Sequence, residues 1–234
     1  MTHLRVDGRE ISFSRSEGRD LFALLAASRD GELPETVVER LWPDEGERGN
    51  RRLETGVRDI NATVRHALRL STDVKFVVKS GRRRHLPAAY FDIDLWRFEE
   101  ARHRASTDAD DDVRMRALRQ MVTLYKGPLL ADRDDLWCLP LRQAAATQAT
   151  NAALSLAEVE HRSDPERALD LLNLAVDQID PYSEVLWCRI MAIHGELGRL
   201  AAVHRTFRQF AERLREIEAQ PSRQARQTYQ RIVG

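Results

Sequence analysis

The sequence predicts a mostly α-helical protein of two domains, residues 1–93 and 94–234. Its 234 residues are long enough for two ordinary domains that each bury a core. In the first domain, strand patterns stand at both ends of a group of helices, whereas from residue 94 onward the pattern is helical. Within the second domain, a helix-pair pattern recurs after 34 positions.

Residues 4–15 carry the pattern of a short β-hairpin, because a Val-Asp-Gly-Arg turn precedes an alternation of Ile11 and Phe13. Ser16 with Glu17 then predicts a helix cap, and the residues that follow predict an amphipathic helix. This helix is expected to end near Asp30-Gly31, where glycine can adopt the left-handed conformation of a helix stop. A strand pair and one helix therefore open the chain.

Two further helices follow. Pro34 suits the first turn of a short helix that ends before Pro43. A longer helix runs from about residue 47 to 69, and its apolar residues recur at steps of four and three: Leu53, Val57, Ile60, Val64 and Leu68. Gly56 within this helix should lower the stability of the helix by about 1 kcal/mol relative to alanine. It indicates either close packing against another helix or an incidental residue.

The face of the third helix opposite this apolar stripe is basic. Residues set about 100° apart around the axis place on it Arg51, Thr55, Arg58, Ala62 and Arg69, flanked by Arg65 and His66. An arginine-rich ridge is therefore predicted to point away from the core.

A hairpin with a basic tip follows the third helix. A strand is predicted over residues 75–79, a turn at 80–81 and a returning strand over 82–86, before Pro87. Helices followed by such a hairpin are the order of a winged helix-turn-helix. Residues 1–93 are accordingly predicted to form a winged-helix DNA-binding domain.

The second domain is predicted to contain helices alone. After a first helix in 94–105 and an acidic stretch suited to a helix start, helices are expected near 112–126, 138–161, 165–179, 182–197, 200–218 and 222–232. The pattern of residues 164–169 recurs 34 positions later in residues 198–203, and 34 residues is the period of the tetratricopeptide (TPR) repeat. An all-α, TPR-like repeat of helix pairs is predicted. Its groove could receive a helix or peptide, and a platform for dimerisation alone is the alternative.

Several motifs along the chain stand in the order and spacing of a known family. They are LFALLAAS at 21–28, Leu-Trp-Pro-Asp at 41–44, FDIDLWRFEEA at 91–101, LYKGPLLAD at 124–132, the stretch 137–142, DPYSEVLWCRIMAIHGELG at 180–198 and QPSRQARQTY at 220–229. With these motifs the sequence resembles the Streptomyces antibiotic regulatory protein (SARP) type of bacterial transcription regulator. Such regulators join an OmpR/PhoB-like winged helix, as in response regulators, to a bacterial transcriptional activator domain.

The resemblance implies a transcription activator that binds repeated promoter sites in double-stranded DNA as a homodimer and contacts RNA polymerase. The chain departs from the family pattern at Glu54, Asp59 and Asn61, where arginines are usual, and at residues 81–83, where the wing usually has Gly-Gly-Tyr. The strand expected before residue 4 is missing or shortened, as in the C-terminal piece of a longer regulator.

Charge is segregated along the chain although it sums to zero. From Arg48 to Tyr90 there are eleven Lys or Arg against three carboxylates, a surplus of eight positive charges. Arginines on a groove-sized helix can bond guanine or phosphate, and a basic hairpin tip beside it can reach phosphates or the minor groove. The predicted DNA-binding residues are Arg51, Arg52, Thr55, Arg58, Ala62, Arg65 and Arg69 on the helix and Lys79, Arg82, Arg83 and Arg84 on the hairpin.

Other chemistry is not indicated. The sequence has no phosphate-binding glycine loop, no nucleophile elbow and no His-Glu-x-x-His pair, so we expect no enzyme, no cofactor and no metal. Cys138, Cys188 and the four tryptophans stand in apolar helical contexts and are expected in the cores. The polar N-terminus and the lack of a run of roughly 18 apolar residues predict a cytoplasmic protein without a membrane partner.

Two hypotheses about function therefore stand. In the first, the third helix and the basic hairpin bind DNA sequence-specifically, and the helical domain mediates dimerisation or contact with RNA polymerase. In the second, the chain is a protein-interaction module of a larger signalling protein, and its winged helix no longer binds DNA.

Overall fold

Four short strands and ten helices make up the part of the chain that the computed structural model describes, residues 4–6, 8–71 and 73–234. In chain order they are β1 Leu4–Val6, β2 Arg9–Ile11, α1 Ser16–Ala27, α2 Pro34–Leu41, α3 Glu47–Leu68, β3 Val78–Ser80, β4 Arg83–His85, α4 Asp94–Thr107, α5 Asp111–Leu124, α6 Cys138–His161, α7 Pro165–Gln178, α8 Glu184–Glu196, α9 Leu200–Arg215 and α10 Arg223–Val233. The predicted mostly helical fold is confirmed. Residues 1–3, where a further strand was sought, lie outside the described residues.

The chain forms two compact units and enters each of them twice. Unit 1 contains Met1–Arg97 and Leu129–Leu141, and unit 2 contains Phe98–Pro128 and Arg142–Gly234. The sequence predicted one boundary, between residues 93 and 94. The second visit to unit 1 carries no local sequence signal, because it depends on contacts with residues far back in the chain.

Unit 1 has an apolar core built on α1 and α3. The side chains that fill it are almost fully buried, among them Leu21, Leu24, Leu25, Leu53, Ile60, Phe76 and Leu86. Leu68, the last residue of the predicted stripe, is 38% exposed, because α3 extends beyond the core at its end. The strand pair β1–β2 confirms the predicted hairpin, with Leu4 opposite Ile11.

The helices α1 and α3 touch at Gly56. A Cβ atom on this residue would lie 2.7 Å from the carbonyl oxygen of Glu17 and 3.1 Å from Cδ2 of Leu21. No side chain larger than hydrogen fits at these distances without a shift of the α1 backbone. Gly56 therefore reflects close helix packing, the first of its two interpretations.

Asp59, on α3, is buried against the start of α1. Its carboxylate accepts hydrogen bonds from the hydroxyl of Ser14 and, at 3.1 Å, from the backbone N–H of Arg15. The expectation that Ser16 caps α1 is wrong: Ser16 is the first helical residue, and Arg15 at the N-cap position makes no side-chain cap bond. A carboxylate from another helix serves this end instead.

Asn61, also buried on α3, holds the segment that leads into the second hairpin. Its Oδ1 accepts hydrogen bonds from the backbone N–H groups of Phe76, at 2.6 Å, and Val77, at 3.2 Å. The predicted strand over residues 75–79 consequently begins only at Val78, because two of its N–H groups are bound to a side chain rather than to a strand.

The hairpin β3–β4 is the predicted one, with its turn displaced by one residue. Ser80 pairs with Arg83, so Gly81 and Arg82 form the loop. Gly81 has a φ of 58°, and a positive φ at the first of two loop residues is typical of a type II′ turn. The backbone of Arg84 also exchanges two hydrogen bonds with Glu32, of 2.8 and 2.9 Å, which attaches β4 to the segment between α1 and α2.

Residues 129–141 belong to unit 1 through an ion pair and an aromatic contact. Arg133, with only 10% of its side chain exposed, donates to Asp20 of α1 at 2.9 Å and to Asp135 at 2.7 Å. Burial lowers the pKa of Arg133, but the two carboxylates outweigh this effect, so the pKa is raised and the charge is kept. Trp137 packs on the apolar core of the same unit.

Unit 2 consists of packed helices whose starts follow the sequence signals. The side chains of Asp110 and Asp164 accept backbone N–H bonds at the N-caps of α5 and α7, as the acidic stretch predicted for α5. Helix α8 packs against α7, α9 and α10. Two pairs of residues 34 apart are buried at equivalent places: Ala168 and Ala202, and Leu169 and Val203.

The cysteines and tryptophans contribute to the two cores. Cys138 is fully buried and Cys188 is partly buried, and neither forms a disulfide bond within the described residues. The side chains of Trp42, Trp96 and Trp187 are each at most 6% exposed. Within the described residues, none of the helices combines the length and the apolar character needed to cross a lipid bilayer.

Replacing Gly56 by alanine should destabilise the protein. Helix propensity alone predicts a gain of about 1 kcal/mol for Gly→Ala in a helix, whereas the contact with Glu17 predicts a loss of about 1–3 kcal/mol from overpacking. The free energy of unfolding by denaturant decides between the two signs. Thr55→Ala, one position earlier and without a core contact, serves as control and should change it by less than about 0.5 kcal/mol. A more stable Gly56→Ala protein would contradict the packing described.

Replacing Asn61 by alanine should release the start of the hairpin. Two buried N–H groups would lose their acceptor, at about 1–3 kcal/mol for each group left unsatisfied. We expect lower stability and faster amide hydrogen exchange at Phe76 and Val77. Asn50→Ala, at an exposed site on the same helix, is the matched control. Unchanged exchange at both amides would show that Asn61 does not hold this segment.

Candidate nucleic-acid interface

The surface of α3 that faces away from the core carries most of the predicted DNA-binding residues. Arg51, Arg58 and Ala62 are exposed along it, and Thr55 and Arg65 are half-buried beside them. Arg69 is exposed too, but it follows the last helical residue as the C-cap in the left-handed conformation. At about 100° per residue Arg51 and Arg58 lie within about 20° of each other around the axis, whereas Arg69 no longer follows the helical phase that predicted its place on this face. Together with Arg69 at the end of the helix they form one row, in which Arg51 and Arg58 are about 10 Å apart along the axis at 1.5 Å per residue. We call the surface formed by these six residues the outward face.

The exposed arginines of this row are not engaged by other side chains. Within the described residues, Arg51, Arg58 and Arg69 make no side-chain hydrogen bond or ion pair. Thr55 donates from Oγ1 to the carbonyl of Arg51 at 2.9 Å, and Arg65 donates from Nε to the carbonyl of Asn61 at 2.9 Å. The row therefore presents guanidinium groups that are available to a ligand.

Arg52 faces a different direction from the row. Its guanidinium pairs with Glu45 at 2.5 Å and Glu17 at 3.3 Å and lies 5.0 Å from the ring centre of Trp42. A backbone hydrogen bond and, less strongly, Arg52 hold the pKa of Glu17 below its usual value, although burial opposes them. Arg52 thus joins α3 to the end of α2 and the start of α1.

The basic residues of the hairpin β3–β4 differ in their partners: Lys79 has none among the described residues, whereas the three arginines are bonded within unit 1. Lys79 is exposed and has no side-chain partner in the described part of the chain. Arg82 is exposed and pairs with Glu35 of α2, and Arg83 donates to the carbonyl of Gly31 at 2.7 Å. Arg84 pairs with Glu54 of α3, and only 11% of its side chain is exposed.

The three residues of α3 that depart from the family pattern, Glu54, Asp59 and Asn61, differ in whether they face the core or the solvent. Asp59 and Asn61 are buried and bonded to backbone N–H groups, so neither charge nor amide faces outward. Glu54 alone lies beside the row of arginines, about 40° around the axis from Arg58 on the side of Asn61. The outward face therefore keeps its positive character, with one carboxylate at its edge.

Sequence reasoning missed the acidic partners of the hairpin. Glu35 and Glu54 lie 47 and 30 residues from the arginines they bind, and no local pattern indicates such pairs. Glu32, which bonds the backbone of β4, was missed for the same reason. As for metals, the described residues contain no group of three or more His, Cys, Asp or Glu arranged to hold an ion.

The geometry can be compared with known proteins. A solved structure described as Mycobacterium tuberculosis EmbR in complex with a low-affinity phosphopeptide is similar in fold: the TM-score is 0.69 at 19% sequence identity, and the match covers 99% of this chain. This chain spans 62% of the length of that structure. Among curated proteins, none matches the sequence.

A family model decides the family. The model described as bacterial transcriptional activator domain matches residues 93–233, more than half of the chain. This match confirms the resemblance to SARP-type regulators that the motifs of the second half indicated. The chain belongs to the bacterial transcriptional activator domain family.

Proposed function

We propose that this chain is a sequence-specific DNA-binding transcriptional activator whose unit 1 acts as a winged helix-turn-helix. Helix α3 is the recognition helix and β3–β4 is the wing. The observation that carries the proposal is the row of Arg51, Arg58 and Arg69, whose exposed guanidinium groups have no side-chain partner among the described residues. Two of them lie on one face of a 22-residue helix and the third is at its C-cap. A buried or ion-paired row could not serve this purpose.

The outward face suits a major groove. An α-helix with its side chains fits the groove width, and a guanidinium can donate two hydrogen bonds to guanine or neutralise a phosphate. Ala62 and Thr55 in the same surface offer small contacts to base edges, such as the methyl group of thymine. Because α3 is held at Gly56, Asp59 and Asn61, its free arginines extend from a rigid support.

The wing supplies phosphate contacts in this proposal. Lys79 is available, and Arg82 is held by an ion pair with Glu35 in which both side chains are mostly exposed. Exposed ion pairs contribute at most about 1 kcal/mol and are screened by salt. Arg82 can therefore exchange Glu35 for a phosphate at small cost. Arg83 and Arg84 are bonded within unit 1, and we assign them to holding the wing.

We assign unit 2 to protein contacts. Its membership in an activator family and its successive packed helices, with equivalent buried residues 34 apart, support a TPR-like repeat. Such repeats present extended surfaces to other proteins. Self-association on promoter repeats and contact with RNA polymerase are the two partners that fit an activator.

The interaction-module hypothesis remains the second candidate. One observation favours it: two of the four wing cations, Arg82 and Arg84, already have carboxylate partners. A chain of this kind would bind duplex DNA weakly and without sequence preference.

Replacing Arg58 by alanine should reduce binding to the specific site. Duplexes selected from a random library by the full wild-type chain provide the probe, and fluorescence anisotropy over a salt series provides the affinity. Loss of one base contact costs about 1–3 kcal/mol, so affinity for the selected duplex should fall about 5- to 150-fold. Affinity for an unrelated duplex should change much less.

Arg116→Ala is the matched control, because Arg116 is an exposed arginine on α5 in unit 2 with no side-chain partner among the described residues. Its binding curves should equal those of the wild type. Equal, weak and sequence-independent binding by wild type and Arg58→Ala would overturn the base-reading role of α3. Failure of the wild type to enrich any sequence would favour the interaction module instead.

A further inference from the structure

Glu54 is an acidic residue at the edge of an otherwise basic surface. It lies one turn before Arg58 on α3, and about half of its side chain is exposed. An isolated carboxylate here would repel the DNA backbone, so its presence beside the outward face requires an explanation. Its surroundings offer one.

Arg84 of β4 orients this carboxylate. The backbone of Arg84 is bonded to Glu32 and paired with Lys79 in the hairpin, which fixes its position between two segments. Its side chain is 11% exposed and donates from Nη2 to Oε1 of Glu54. Nε of Arg84 is buried and has no hydrogen-bond partner among the residues that the structure describes, so the contact with Glu54 is the side-chain contact that directs this guanidinium.

The other oxygen of Glu54 is available. Within the described residues, Oε2 of Glu54 makes no hydrogen bond, and the exposed part of the side chain lies next to the row of Arg51 and Arg58. The pair with Arg84 compensates its charge, while Oε2 remains an acceptor on the proposed reading surface. A positioned acceptor in a major groove bonds an exocyclic amino group, and a carboxylate matches N4 of cytosine.

We propose that Glu54 reads a cytosine in the target site and that Arg84 is its positioning residue. This inference rests on the proposed DNA-binding function and adds to it a specificity element of the opposite charge. The neighbouring arginines supply affinity for guanine and phosphate, and the carboxylate rejects a base that presents an acceptor at the same place. The charge on Glu54 thereby contributes to discrimination between sequences.

The test is selection of bound sequences from random duplex DNA by the full chain, as wild type and as Glu54→Gln. Glutamine keeps an acceptor and adds a donor, which matches adenine N6 and N7. We expect the two selected motifs to differ at one position, from cytosine to adenine, with a change in preference of about 5- to 150-fold. Glu54→Ala should lose the preference at that position and keep the rest of the motif.

Two further variants separate orientation from charge. Arg84→Lys keeps the positive charge but loses the planar guanidinium, so preference at the same position should weaken without moving elsewhere. Glu35→Gln removes the other carboxylate that pairs with a wing arginine, and it should leave the motif unchanged. Thermal unfolding of each variant checks that the chain is folded.

The outcomes distinguish this inference from the proposed function. A wild-type motif that Glu54→Gln and Glu54→Ala both reproduce would overturn the role of Glu54 and leave DNA recognition by α3 intact. If Glu54→Gln and Glu54→Ala instead raise the affinity for every duplex equally, Glu54 is a repulsive charge only, and its role in reading cytosine is overturned too. If the wild type selects no motif, both proposals fail together.

Discussion

The contact of α1 with α3 at Gly56 is the constraint on which the rest of unit 1 depends. A hydrogen in place of a side chain lets the two helices touch, with the Glu17 carbonyl 2.7 Å from where a Cβ would be. The same helix then serves two neighbours through buried polar groups. Asp59 accepts a hydrogen bond from the backbone at the N-terminal end of α1, and Asn61 accepts hydrogen bonds from the backbone that leads into the hairpin. A shift of α3 would therefore disturb α1 and the hairpin β3–β4 together.

This arrangement divides the polar residues of α3 by function. Those that turn inward satisfy backbone N–H groups, whose burial without an acceptor would cost about 1–3 kcal/mol each. Arg52 at the side pairs with acidic residues and covers Trp42. The outward residues Arg51, Arg58 and Arg69 make no side-chain hydrogen bond or ion pair in the part of the chain that the structure describes. Exposed positive charges of this kind are what a polyanion can use. The buried polar groups that support the fold and the exposed arginines thus occupy separate faces of one helix.

The hairpin shows how a small sheet of a few residues can hold a defined position. Two strands of three residues are marginal on their own. Here β4 is bonded to Glu32, Arg82 in the loop pairs with α2, and Arg84 pairs with α3. The segment before β3 is bonded to Asn61. In unit 2, aspartate side chains cap the starts of α5 and α7, and α8 packs on its sequence neighbours α7 and α9 and also on α10.

The sequence by itself determined the helices, the two hairpins and the basic surplus of the first half, because helix and strand periodicity and capping residues act over a few positions. It also indicated the outward arginines, since a helix of known phase has only one side opposite its apolar stripe. Tertiary structure decided which arginines and lysines lack a side-chain partner among the described residues. It also buried Asp59 and Asn61, so that neither reduces the positive charge of the outward face, and it returned residues 129–141 to unit 1. Those outcomes depend on partners 15 to 113 residues apart, such as Asn61 with Phe76 and Arg133 with Asp20, and no local pattern encodes them.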